Sequence, residues 1–154
     1  MEVTQLAAGH EIRIGGLGPV LITVFDGAAP LAALELLDAT QAQFVAQHPR
    51  IVTMTIIASP KLTAPPAGMR ERSAQLFAKY EPNMACSAVV IRTSGLAAVI
   101  ARSFLAAYQL VIPQKVPQRT FRGLPEAIAW CQTHSPDAAK QPRLAEAIER
   151  FVKP

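Results

Sequence analysis

Ala85-Cys86-Ser87-Ala88-Val89-Val90-Ile91, the turn Arg92-Thr93-Ser94-Gly95 and the apolar run from Leu96 to Pro113 together decide the fold. The first piece is short, apolar and β-branched, which is how a strand covered on both faces reads. The second is a tight turn ending in Ser94, a residue type that caps helices by accepting a bond from an early amide. The third carries Leu96, Val99, Ile100, Phe104, Leu105, Tyr108, Leu110, Val111 and Ile112 around a helix. A second strand-like run, Val116 to Phe121, comes next. Gly123-Leu124-Pro125-Glu126-Ala127-Ile128-Ala129-Trp130 then opens a helix with proline in its first turn. Strand, helix, strand, helix is the α/β pattern.

Working upstream, Ile51 to Ala58 is another apolar, β-branched run and predicts a second buried strand. A proline-rich loop, Ser59-Pro60 to Pro65-Pro66, leads into a helix from about Ala67 to Tyr80, and Pro82-Asn83 breaks it. Before this, Pro30 opens a helix reaching about Gln47, with Leu31, Leu34, Leu37, Phe44 and Val45 on one face. Val20 to Phe25 predicts a strand, paired as a hairpin with a weak strand from Val3 to Ile14 across Gly15-Gly16-Leu17-Gly18. Downstream, Ser135-Pro136-Asp137 reads as a linker and Pro142 to Val152 as a short amphipathic helix.

The expected fold is α/β: a mixed, mostly parallel sheet of four to five strands, an N-terminal hairpin, about four helices and a short C-terminal helix. Residues 1–134 form one domain, and residues 135–154 are a linker and helix packing on it. The chain of 154 residues is 51% hydrophobic and 17% charged, enough apolar material for a core. Its net charge is +4, but the basic residues are scattered and the densest cluster is only Arg70 and Arg72. A nucleic-acid face needs clustering, so no nucleic-acid partner is expected. The N-terminus has no basic segment leading into a long apolar run, so no signal peptide is expected. Arg102, Ser103 and Gln109 interrupt the long apolar helix, so it is no membrane span. A cytoplasmic location follows as the expectation.

The order from about residue 10 to 134 resembles the STAS-like fold of bacterial anti-sigma-factor antagonists. Its most suggestive part is the strand ending in Thr120-Phe121 followed by Leu124-Pro125-Glu126-Ala127-Ile128-Ala129-Trp130, similar to the last helix of such domains. The resemblance implies a non-enzymatic regulatory domain that works by protein–protein contact and needs no cofactor. It also implies a regulatory serine after the third strand, at a helix start. The matching segment is Ile57-Ala58-Ser59-Pro60-Lys61-Leu62-Thr63, without the Asp-Ser pair the family usually carries. Ser59 and Thr63 in this loop, with Arg70 and Arg72 on the following helix, are the candidate specificity residues.

The long helix is apolar around most of its circumference. That predicts an exposed strip of Leu96, Ile100, Phe104 and Tyr108 used for self-association or a protein partner, unless the C-terminal helix lies over it. Two other functions compete with this one. A small-molecule or lipid-binding module suits the high apolar content, with a small apolar ligand as partner. A hydrolase-like enzyme would use Ser94 or Cys86, although the glycine pattern of a nucleophile turn is missing around Ser94. Gly15-Gly16-Leu17-Gly18 lacks the lysine of a phosphate loop. His10, His48 and His134 have no metal-ligand spacing, and neither do Cys86 and Cys131. The carboxylates Asp26, Glu35, Asp38 and Glu71 suggest no acid–base pair.

Overall fold

A computed structural model describes residues 2–112 and 115–153. Among these residues the elements are β1 (Thr4–Gly9), β2 (Ile12–Leu17), β3 (Val20–Phe25), α1 (Leu31–Gln47), β4 (Ile51–Ile57), α2 (Met69–Tyr80), β5 (Met84–Ile91), α3 (Gly95–Gln109), β6 (Gln118–Phe121), α4 (Leu124–His134), α5 (Pro136–Ala139) and α6 (Leu144–Val152). A short 3₁₀ turn, Glu81–Asn83, joins α2 to β5.

The sheet has six strands in sequential order, not the four to five expected. The first three form an antiparallel meander, and β3 to β6 run parallel. The extra strand comes from the N-terminal segment. His10 and Glu11 adopt left-handed backbone (φ 53° and 67°) and fold Val3–Ile14 back on itself as β1 and β2. The expected glycine turn shrinks to Gly18-Pro19, with Gly18 at φ 55°. Gly15 and Gly16 lie inside β2. There they let side chains approach the strand. A Cβ at Gly15 would stand 2.8 Å from the Phe151 ring, and one at Gly16 would stand 2.7 Å from the Phe44 ring.

Each parallel connection steps to the next strand in the same direction. Right-handed crossovers therefore carry α1, α2 and α3 to one face. That face gathers Ile12, Ile14 and Leu21 with Leu34 and Phe44 of α1, Leu76 and Phe77 of α2, and Phe104 and Tyr108 of α3. The chain then crosses to the opposite face, where α4 and α6 cover Val20, Ile22, Val24, Val52, Met54, Ile56, Cys86, Ala88 and Val90. The C-terminal helix thus packs on the far side of the sheet and does not lie over α3. The Arg13 guanidinium fastens it. It pairs with Asp26 at 2.7 Å and donates to the carbonyls of Phe151 and of Val152, the latter at 3.0 Å. A cation on the last carbonyls of a helix also suits the helix dipole. Arg92 adds an ion pair to Glu149 at 2.9 Å. The expected linker contains α5, capped by the Ser135 hydroxyl, which accepts from the Ala138 amide at 3.1 Å.

Polar ties join α1 to α2. Arg72 grips Glu35 at 2.7 Å and Asp38 at 3.0 Å, Lys79 reaches Asp38 at 2.9 Å, and the Tyr80 hydroxyl donates to the same carboxylate at 2.5 Å. The Tyr80 bond first, then Lys79 and Arg72, hold the Asp38 carboxyl down to about 2 from its ordinary 3.8. A depressed carboxyl stabilises the fold above its unfolded pKa and loses that contribution as pH falls through the folded value. The expected result is an acid limb of unfolding that steepens between about pH 4 and 2. It should be shallower in Asp38→Asn, as read by circular dichroism melts across pH. Parallel acid limbs in the two proteins would refute this role.

Candidate functional site: a hydroxyl-floored cavity

The central strands β4 and β5 have two unlike faces. On the α4–α6 side, Val52, Ile56, Cys86, Ala88 and Val90 are fully buried. On the α1–α3 side, the alternate residues Thr53, Thr55, Ser87 and Val89 are only half-buried, although helices lie above them. The cause is a cavity of about 210 Å³ between the sheet and α1, α2 and α3. The helices α2 and α3 pack on each other and their backbones stand off from the strands beneath, whereas the backbone of α4 lies close over β5.

Register places the floor residues in rows across the sheet. Thr53 is level with Ser87, and Ser87 with Gln118. Thr23 is level with Thr55, Thr55 with Val89, and Val89 with Thr120. The Thr53 hydroxyl donates to Ser87 Oγ at 2.8 Å, which leaves the Ser87 proton to donate elsewhere. Thr23 and Gln41 also line the cavity and are 4% and 5% exposed, and neither side chain makes a hydrogen bond to another described residue. The roof is apolar: Met69, Leu76 and Phe77 from α2, and Ile100, Phe104 and Leu105 from α3. Phe104 stacks on Tyr108 with ring centroids 6.1 Å apart. Burial, with the Glu81 carboxylate adding to it, pushes the Tyr108 phenol far above its ordinary range. It stays protonated at neutral pH.

The predicted residues scatter around this site. Ile100, Phe104 and Tyr108 turn inward and line the cavity, so the expected exposed strip is not formed by them. Leu96 does face outward, 74% exposed, beside Val99 at 55%. The α3 helix ends at Gln109, short of the expected 95–112, and residues 110–112 leave it as a turn. Thr63 is exposed in the loop at the cavity's rim. Ser59 is buried, its hydroxyl accepting from the Lys61 amide at 3.0 Å, and residues 60–68 separate it from α2. It is therefore not at a helix start, and its oxygen is already used in a local turn. Arg72 is engaged with α1, and Arg70 pairs with Glu71 on the surface.

Ser94 precedes α3 and is exposed, but its hydroxyl does not cap the helix. Cys86 is fully buried on the opposite face, in the same core as Cys131, whose thiol is pushed up in pKa by its neighbour Cys86 and by burial. Ile51–Ile57 looks continuously apolar in sequence, and this conceals the polar floor. Threonine at alternate positions 53 and 55, with Ser87 two residues into the next strand's apolar run, is the period-two signal that marks it.

The chain matches no family model, and no curated protein or solved structure matches it either. Among the described residues no helix is long and apolar enough to cross a membrane.

Proposed function

We propose that this chain is a divergent STAS-like regulatory domain whose input is a small molecule held in the cavity between the sheet and α1–α3. The observation that carries the reading is the contrast between the two faces of β4 and β5. One face is packed to zero exposure, and the other is left hollow and lined with hydroxyls. A hollow polar floor is a poor solution for stability alone, because hydroxyls facing an open space bury less apolar area than packed Val or Ile would. It is a good solution for holding a ligand, since pockets combine apolar walls with a few placed polar groups. The STAS-like part of the reading rests on the strand–helix order and the last helix.

Val89→Phe places a ring in the cavity from its floor. Native mass spectrometry with a mixture of single-ring fragments is expected to show bound species with the natural protein and none with Val89→Phe, whose melting temperature stays level or rises. The absence of any bound species with the natural protein would sink the reading.

A second reading, a protein-interaction surface, is favoured by one observation: Leu96 and Val99 sit three residues apart on the outer face of α3, both largely exposed. The joint change Leu96→Glu and Val99→Glu leaves the core untouched. If this face mediates association, light scattering across a concentration series should show a mass falling to 16.5 kDa in the variant. An unchanged mass in the two proteins removes this reading.

A further inference from the structure

The geometry points to a neutral, fragment-sized ligand with one apolar ring and a short hydrogen-bonding end, bound with the ring under α2 and α3 and the polar end on the threonine floor. This inference rests on the cavity reading above and adds to it the class of molecule. Three observations set that class.

Size comes first. A cavity of about 210 Å³ exceeds the ~150 Å³ engineered cavity that takes benzene, and falls short of the ~300–1,000 Å³ of pockets for drug-sized molecules. One ring with a short substituent fits these bounds.

Charge comes second. Among the described lining residues the only formally charged side chain is Arg119. Its guanidinium is held over the Phe121 ring, 5.2 Å from the centroid, and Phe121 belongs to the core on the opposite face. The Glu81 carboxylate, whose charge reaches Tyr108, is not part of the lining and accepts from the Lys115 amide at 3.2 Å. An ionised ligand would therefore find no counter-charge on the cavity wall, and burying an unpaired charge is strongly unfavourable.

Polarity comes third. Thr23 and Gln41, both more than nine-tenths buried, line the cavity without a hydrogen bond to any described residue. The carboxamide both donates and accepts, as does each hydroxyl, and Ser87 retains a proton to give. The site therefore recognises an alcohol, phenol or carbonyl equally well, and a hydrocarbon leaves these groups unpaired.

The test uses four single-ring probes on the full chain, followed by titration calorimetry and protein-observed NMR: benzyl alcohol, toluene, benzoate and benzylammonium. Benzyl alcohol is expected to bind at least about tenfold more tightly than each of the others, the scale of one unpaired buried polar group. Thr23→Val combined with Thr55→Val removes two level hydroxyls on neighbouring strands and keeps their shape. In it the alcohol should weaken about tenfold while toluene holds within about twofold. If toluene matches the alcohol, or either ion binds as well, the ligand class is wrong while the cavity reading stands. If all four fail to bind, the cavity reading falls and this inference falls with it. The selectivity of the natural protein decides the matter even where the double variant does not fold.

Discussion

Ile148→Ala should destabilise the protein by about 3 kcal/mol, within the ~2–5 kcal/mol typical of removing a buried branched side chain. Ile148 is fully buried, and it sits on α6 among Leu144, Ala147 and the packed face of the sheet. Its neighbours Leu144, Ala147 and the sheet residues beneath are themselves buried, so the deleted carbons leave a cavity against close-packed side chains. The backbone ties from Arg13 hold α6 in place and hinder its collapse into the gap. For a domain of this size the loss corresponds to a melting temperature lower by roughly 6–12 °C. Calorimetry reads it directly. A shift under about 2 °C would mean that α6 is an appendage and not part of the cooperative unit. Fragment binding should survive at temperatures where the variant is folded, because α6 and the cavity lie on opposite faces of the sheet.

Gly16→Val should cost about 2–3 kcal/mol, the upper part of the range for overpacking. Valine is favoured in strands, so propensity alone predicts a gain. Packing opposes it. A Cβ at Gly16 would meet the Phe44 ring at 2.7 Å and Leu6 at 3.3 Å, and Phe44 is buried against His48 with ring centroids 4.6 Å apart. The ring has little room to retreat, so α1 must lift from β2. Denaturant unfolding should show the loss, and Phe44→Leu added to Gly16→Val should recover part of it, because the two positions share one space. Strict additivity of the two changes would show that the ring contact is not the cause.

Both predictions concern places where the sequence pattern is mute about distance. The run Gly15-Gly16-Leu17-Gly18 carries the composition of a turn, yet only Gly18 turns the chain, and Gly15 and Gly16 serve the close approach of Phe151 and Phe44. A glycine that relieves the backbone and one that admits a neighbour look alike in a sequence. They separate only when the neighbour, more than a hundred residues away for Phe151, is in place. The same holds for Arg72, a candidate recognition residue on composition and an ion-pair partner of Glu35 and Asp38 in the fold.

The sequence by itself determined the α/β class, the parallel β4–β5–β6 core and the positions of α1 to α4, because period-two and period-3.6 patterns are local properties of the chain. Pro30 and Pro125 mark the starts of α1 and α4 for the same local reason. It also contained the threonines at 53 and 55, but their meaning was not local. Whether a half-polar strand face meets solvent, a tight helix or a hollow depends on how far α2 and α3 stand from the sheet, and that is settled by packing across the whole fold. Tertiary structure alone turned Ile100, Phe104 and Tyr108 inward, sent α6 to the opposite face and left a cavity above the hydroxyls of the central strands. Packing across the sheet decides which side of a helix is inside, and that is a property of the whole chain.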